Sequence, residues 1–485
     1  MMGTHQPQAS LFAYRVDREQ RVRPDHPLRR VAAVVDFSFV REQVAPCYGY
    51  NGHVSVDPVV ILKLMFLLFY DDVPSERELL SRLGERLDYL WFLGYGLDDP
   101  IPDHSVLSKA RHRWGREVFE RLFVQTVQKC VAAGLVDGHK IHLDSSLVDA
   151  NASKNSVLKS APALIDALKA AYGAQEQKLT EPLAAESVNA GPVSTTDPDA
   201  TVVRSSSGGP RLRYKHHRAV DNAHGVITAV RTTTGRVDEA QQLPSLIEQH
   251  THNTAKAVDT AVADSKYGTV ENYRHCQQLG ITTHMADLQT KQAGTGRRAA
   301  IFPDTGFVYA AVTDTYRCPG GQTLHRHHWN AARRVWQYRT RAGLCAGCAL
   351  RAQCTRAKDG RSLQRHEDHQ LVQQARMQAN SAVAKRDRRR RQHLMEGSFA
   401  DAANNHGFKR ARWRRLWRQE IQDWLIAAIQ NVRILMAHPL RPVHTTAQAV
   451  RALVVLPSAG RCGFRIDERC LWAYEVAAVT RFGVN

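Results

Sequence analysis

The sequence predicts a mixed α/β protein: an all-helical N-terminal domain, then a mixed sheet flanked by helices. Three observations carry that prediction. Residues 21–135 keep a helical apolar period with capping signals at its breaks. Two strand-like stretches, 141–143 and 257–263, each lead into an aspartate, with a hairpin and a helix between them. The chain carries 66 Lys plus Arg against 47 Asp plus Glu, a formal charge of +19.

That excess calls for a polyanionic partner, nucleic acid before membrane. At 485 residues, two or three domains are expected, and a hydrophobic share of 43% is enough for real cores. The first residues show no charged head followed by an apolar core, so no signal peptide is expected. The longest apolar run, 59–70, is too short to span a bilayer and contains Lys63, so it reads as a buried helix. Nine cysteines, an odd number with four clustered, fit a reducing cytosol.

The helical part starts cleanly. Asp57-Pro58 puts Pro at a first helical position. Ser75 and Glu78 form a capping box, and Leu79, Leu80, Leu83 and Leu87 point inward behind it. Gly94, Gly96, Pro100 and Pro102 break the chain, and Asp103 caps a helix carrying Lys109, Arg111, His112 and Arg113 on polar positions. A short helix, a Gly/Pro turn and a basic second helix form the pattern of a helix-turn-helix DNA reader, with Lys109, Arg111 and Arg113 as candidate contacts. An ordinary bundle with a solvated charged face has the same pattern, and the segment alone leaves both readings open.

In the next part, Ile141-His142-Leu143 reads as a short strand, and Asp144 sits where it runs out, because Ser145-Ser146 breaks the apolar pattern. A carboxylate held there suits a metal ligand or a general base. An Asp that starts a turn or caps a helix has the same setting. Residues 174–210 are rich in Ala, Ser, Thr, Gly and Pro and read as an insertion or flexible crossing. Strand 217–221, turn 222–225 and strand 226–234 make a hairpin. A helix at 238–250, a strand at 257–264 ending in Asp264, a helix from Val270 and a strand at 281–284 follow. If the strands of Asp144 and Asp264 are neighbours with one direction, the two carboxylates meet at one edge. Like charges converging there repel unless a cation lies between them, and oxygen-only ligands favour Mg²⁺ or Mn²⁺.

The phrases His142-Leu-Asp-Ser-Ser146, Tyr214-Lys-His-His-Arg-Ala-Val-Asp221 and Ala263-Asp-Ser-Lys-Tyr-Gly268 resemble the core of bacterial insertion-sequence transposases of the DDE class. Pro102-Asp-His-Ser105 resembles a recurrent phrase of the helical domain ahead of that core. The resemblance runs from about residue 15 to about residue 437. It implies an RNase H-like core in which Asp144 and Asp264 are the first two metal-binding acids.

Cys318, the pair Cys345 and Cys348, and Cys354 supply four thiols. The single CxxC pair is a zinc knuckle, and a Cys₄ structural zinc site completes it, with His325, His327 and His328 as spare ligands. Four reduced cysteines without metal are the alternative.

The arginine-rich run 385–391 leads into Glu396 and Phe399, then Lys409 and Arg410. On a helix, Gln392 lies one turn before Glu396 and Arg389 two turns before it, on one face. Guanidinium groups pair bidentately with phosphate, so Arg388, Arg389, Arg390, Arg391, Lys409 and Arg410 are candidate DNA contacts. A solvated basic helix accounts for the arginines but not for a lone Glu among them. In the resembling family the third acid lies near Glu-x-x-Phe on such a helix, which places it at Glu396. That pattern also has an Arg four before the Glu and a Lys seven after it. Here those positions hold Gln392 and Ala403, with Arg391 and Lys409 as out-of-register substitutes. Glu420, on the helix that reads as closing the core, is the rival. Trp413, Trp417 and Trp424 recur at helical spacing, as core packing or as base-stacking surfaces.

The expected division is a helical DNA-binding domain (15–135), a first core part (138–290) with a flexible insertion (155–212), a cysteine-rich insertion (291–375), closing helices with the third acid (376–437) and a tail without an assigned role (438–485). The activity implied by the resemblance is DNA transposition. Two Mg²⁺ or Mn²⁺ ions, held by Asp144, Asp264 and Glu396, assist water attack at the transposon end and then attack of the freed 3′ hydroxyl on target DNA. The partners are terminal inverted repeats and target duplex, engaged by a homodimer in the cytoplasm, on the nucleoid. A nuclease without strand transfer and a decayed DNA-binding protein are the rival readings.

Overall fold

The structure, a computed structural model, describes residues 2, 17–49, 54–153, 156–158, 166–167, 170–171, 193–204, 209–288 and 301–438. Most of the expected flexible insertion and nearly all of the expected tail lie outside the described residues. The chain opens on helices α1 (Arg18–Arg21), α2 (Pro27–Val34), α3 (Phe39–Val44), α4 (Pro58–Tyr70), α5 (Glu76–Leu83), α6 (Leu87–Leu93), α7 (Ser105–Trp114) and α8 (Glu117–Ala132). The caps are local and as read. Asp57 accepts from the Val59 N–H at 2.9 Å and Ser75 from the Glu78 N–H at 3.2 Å. Helix α4 is buried almost all round, and its Lys63 donates to the Phe92 carbonyl at 2.7 Å.

The main sheet follows. Its strands are β1 (Lys140–Asp149), β2 (Val157–Leu158), β3 (Val193–Ser194), β4 (Thr201–Arg204), β5 (Pro210–Asp221), β6 (Ile227–Thr234), β7 (Thr260–Val262) and β8 (Thr282–His284). Strand β1 is central. It pairs antiparallel with β5 and parallel with β7, and β7 pairs parallel with β8. On its far edge β5 carries β6 along one stretch and β4 along another.

One local expectation is corrected here. Strand β1 does not run out at Asp144. It continues through Ser145 and Ser146 because β5 pairs with it from Ile141↔Asp221 to Asp149↔Arg213, and that ladder outweighs the polar side chains. What stops at His142↔Val262 is the parallel pairing with β7. Asp144 is therefore rigid on its β5 side and open on its β7 side.

Helices α9 (Leu243–Thr254) and α10 (Val270–Gln278) cover one face, around Ile141, Leu143, Ala261, Leu246 and Tyr273. A small antiparallel sheet comes next: β9 (Val308–Ala310), β10 (Thr315–Arg317), β11 (Thr323–Asn330), β12 (Val335–Arg339) and β13 (Ser362–His366), with the short α11 (Arg351–Cys354) before β13. Its core is small: Phe307, Tyr316, Leu324, Tyr338 and Leu363.

Helices α12 (His369–Asn380), α13 (Ala382–Asn405) and α14 (Leu416–Ala437) end the described chain. Helix α13 crosses the main sheet from strand to strand. Its Asp387 meets His284 of β8 at 2.8 Å and Lys140 of β1 at 2.9 Å, and its Ser398 accepts from Arg218 of β5 at 2.7 Å. Helix α14 is buried from Ile421 to Val432 and shares one core with Leu28, Leu64 and Phe123 of the N-terminal helices. The helical segment is thus cored against α14. Trp424 lies in that core and Trp413 and Trp417 pack on it, so all three serve packing. Among the described residues no helix is long and apolar enough to cross a membrane.

Candidate active site and nucleic-acid interface

The parallel register sets the site. Lys140, Ile141 and His142 pair with Thr260, Ala261 and Val262, and the same offset brings Asp264 level with Asp144 just past the last pair. There the two strands part, leaving the two carboxylates at the mouth of the gap. Asp144 accepts from the Ser145 N–H at 2.8 Å and from the Arg391 guanidinium at 2.6 Å. Asp264 accepts from the Lys266 N–H at 3.0 Å. Burial holds the Asp144 carboxyl above the ordinary carboxylate range. Arg391 and the Ser145 N–H oppose this, and the charge of Asp264 adds to it. The two aspartates therefore feel each other electrostatically, as converging metal ligands do.

A third carboxylate stands here that sequence reasoning missed. Glu239 follows Asp238, which caps the turn after β6 by accepting from the Ala240 N–H at 3.1 Å. A cap next to an acid looks like an ordinary helix start, so nothing local singled it out. Only 5% of Glu239 is exposed. It receives the Ser145 hydroxyl and the Lys266 ammonium, the latter at 2.6 Å, and Lys215 lies 3.8 Å away. Burial works to raise its pKa, and the bonds from Lys266 and Ser145 with the lysine charges overcome that and hold it low. Between the acids lies Tyr267, fully buried, whose hydroxyl has no hydrogen-bond partner among the described residues. Burial, then the charges of Asp144, Glu239 and Asp264, push its pKa well above the ordinary value.

Glu396 is not brought to this cluster. It is exposed on α13 and accepts from Gln392 at 3.0 Å. Arg391 faces the sheet, and five residues on, at ~100° each, Glu396 lies roughly 140° around the helix. The rival Glu420 is elsewhere, paired with Arg116 of the chain just before α8 at 2.6 Å. Among the described residues no three His, Cys, Asp or Glu side chains are placed so as to hold a metal ion.

The four cysteines do approach one another. All are partly buried and none forms a disulfide. The Cys354 thiol is pushed up by burial and by Cys318, Cys345 and Cys348, with Arg361 opposing. Cys318 sulfur accepts from the Gln322 N–H at 3.2 Å, and Thr340 Oγ1 lies 3.3 Å from Cys345 sulfur. Gly320 lies between two of the thiols: a Cβ there would stand in ordinary contact, 3.4 Å from Cys348 sulfur and 3.7 Å from Cys318 sulfur.

The candidate DNA contacts divide by exposure. Lys109 and Arg113 are exposed on α7. Arg111 is not a surface residue. It is 3% exposed, pairs with Glu76 and lies 4.0 Å over the Trp413 ring, because its position on α7 faces the core with Leu107 and Trp114. Arg111 therefore packs the helical core and does not reach a DNA surface. On α13, Arg389 and Arg390 are exposed, with Arg390 held by Asn222 at 2.7 Å. Arg388 is half-buried and donates to the Ala379 carbonyl at 2.6 Å, and Arg391 is committed to Asp144. Lys409 and Arg410 are exposed beside the end of β1, where the Lys409 ammonium donates to Ser146 at 2.7 Å.

Known proteins add the family. Residues 16–113 match a transposase domain (DUF772), and residues 317–436 match a transposase DDE domain. Together the two matches support an insertion-sequence DDE transposase. Glu396 falls inside the second match, while Asp144 and Asp264 fall between the two. No curated protein matches the sequence. Among solved structures, the Mos1 mariner paired end complex with Mn aligns at 11% identity and a TM-score of 0.16, over 49% of this transposase and 60% of that chain. The piggyBac transposase synaptic complex with hairpin DNA aligns at 8% identity and a TM-score of 0.24, over 91% of this chain and 86% of that one.

Proposed function

We propose that this transposase cleaves duplex DNA at the ends of an insertion sequence and joins the freed strands to target DNA. The observation that carries the reading is the Asp144–Asp264 pair, two partly buried carboxylates brought level by a parallel register. The order β6-β5-β1-β7-β8, with β5 alone running against the others, agrees with an RNase H-like core.

Asp144 and Asp264 would hold Mg²⁺ or Mn²⁺, and the donors fit: oxygen only, with two like charges side by side. Glu396 is the third ligand of this reading, and taking that role means turning α13 so that its outer face, where Gln392 now holds Glu396, comes to the cation site. A divalent cation there supplies positive charge to the attacking and leaving oxygens of an in-line displacement. The chain's own residues do the rest. Arg391 fixes Asp144, Lys409 stands beside it at Ser146, and the exposed Arg389, Arg390 and Arg410 present cations to the DNA backbone. Lys109 and Arg113 on α7 add contacts to the element's terminal repeat. Cleavage breaks one P–O bond and makes another with water oxygen, the proton leaving to solvent. Strand transfer repeats the displacement with the 3′ hydroxyl as nucleophile. Two copies of the chain, one at each end, form the homodimer on DNA.

Cys318, Cys345, Cys348 and Cys354 would hold a structural zinc, which suits a small sheet with a small apolar core.

The test uses a supercoiled plasmid carrying the element's ends, with Mg²⁺. Asp144→Asn and Asp264→Asn are expected to lose cleavage and strand transfer while still shifting end DNA on a gel. Cleavage at the unmodified rate by either variant would overturn the reading.

A further inference from the structure

Glu239, Lys266 and Lys215 are tied together beside the two aspartates, and the reading above leaves them without a role. Lys266 stands two residues past Asp264, and 61% of its side chain is exposed. A lysine so open ordinarily keeps its rotamer freedom, up to about 2 kcal/mol of entropy. Here a buried carboxylate holds its ammonium at 2.6 Å. Glu239 itself is satisfied by Ser145, Lys266 and Lys215, so its negative charge is answered without any metal ion.

We propose that Glu239 is a positioning residue that holds Lys266 at the mouth of the Asp144–Asp264 pair, where the Lys266 ammonium contacts the scissile phosphate. The inference rests on the active-site reading above and adds a substrate contact to it. An ammonium has three donors, and Glu239 takes one, leaving donors to turn toward a phosphate oxygen. The second anchor of Glu239 is Ser145, the residue next to Asp144 on β1. The clamp therefore ties the Asp264 loop to the Asp144 strand, and the distance from cation to carboxylates is set by a buried group.

The experiment measures binding, in EDTA, so that no metal and no turnover are involved. Two duplexes carry the element's end, one with an ordinary scissile phosphate and one with an uncharged methylphosphonate there. The unaltered protein is expected to bind the methylphosphonate duplex on the order of tenfold more weakly, the size of one charge-assisted bond. Lys266→Ala should bind the ordinary duplex about as weakly and show no further loss on methylphosphonate, and Lys266→Arg should restore most of the difference. Glu239→Gln, which keeps the shape and drops the charge, should shrink the methylphosphonate effect at least about threefold while Lys266 is still present. A full methylphosphonate effect in Lys266→Ala overturns the contact, and a full effect in Glu239→Gln overturns the positioning. If Glu239→Gln does not fold, the two Lys266 variants decide the contact. Failure of the wider reading shows separately, as cleavage that survives Asp144→Asn.

Discussion

Arg391→Gln removes the cation that faces Asp144. The guanidinium sits 2.6 Å from the carboxylate, with 14% and 27% of the two side chains exposed. A charge-assisted bond of this kind contributes about 1.5–3 kcal/mol, and the open quarter of Asp144 reduces that to about 1–2 kcal/mol. What remains around Asp144 is burial and the charge of Asp264, both raising its pKa, with the Ser145 N–H opposing them. The folded pKa is already above the ordinary value. Such a group favours the folded state most below its unfolded pKa and loses that contribution as pH rises through the folded pKa. Arg391→Gln moves the folded pKa further up, so its stability deficit should be larger at neutral than at acid pH. The same shift keeps more of Asp144 protonated on the acid side, so the acid limb of end cleavage should move to higher pH. Chemical denaturation at roughly pH 5 and pH 7.5 checks the first effect, and a pH–rate profile checks the second. The double variant Asp144→Asn with Arg391→Gln should recover about 1 kcal/mol of the summed losses, since the orphaned charge is gone. Equal deficits at both pH values, an unmoved acid limb and additive losses would refute the reasoning.

Three further outcomes are expected. Purified protein should carry about one zinc per chain by elemental analysis, and Cys348→Ser should lose it and expose β9 to β13 to limited proteolysis; zinc-free protein with four free thiols removes the site. Gly268→Ala should destabilise by about 1–3 kcal/mol and slow cleavage, because the added Cβ would meet a backbone carbonyl next to the Asp264 loop. That Cβ would lie 2.5 Å from the Ala286 oxygen, and an unchanged melting temperature would count against the packing described. Changing the exposed Lys385, Arg386 and Arg389 to Gln should flatten the salt dependence of DNA binding by up to about 0.9 per lost phosphate contact, and an unchanged slope takes α13 out of the interface.

Asp144 and Asp264 are legible in the sequence because a short strand-like stretch ending in an acid is a local signal, and because both lie in phrases that resemble one family. The caps at Asp57 and Ser75 are legible for the same reason, since each acts on a backbone group two or three residues away. Arg111 misleads because a helix that is polar in sequence still turns one charged position inward when a half-buried acid, Glu76, waits there. Ser145 and Ser146 mislead because strand β5, some seventy residues on, supplies the ladder that carries β1 past them.

The sequence by itself therefore determines the helical start, the strand–acid phrases, the cysteine set, the basic excess and the family. Only the tertiary structure decides which groups meet. Glu239 reaches Ser145 and Lys266, Arg391 reaches Asp144, and Glu396 turns outward on the same helix. Those partnerships follow from the register of β1 against β7 and from the path of α13 across four strands. Register and crossing are set by the sum of many packing contacts between distant segments, and no window of neighbouring residues contains that sum.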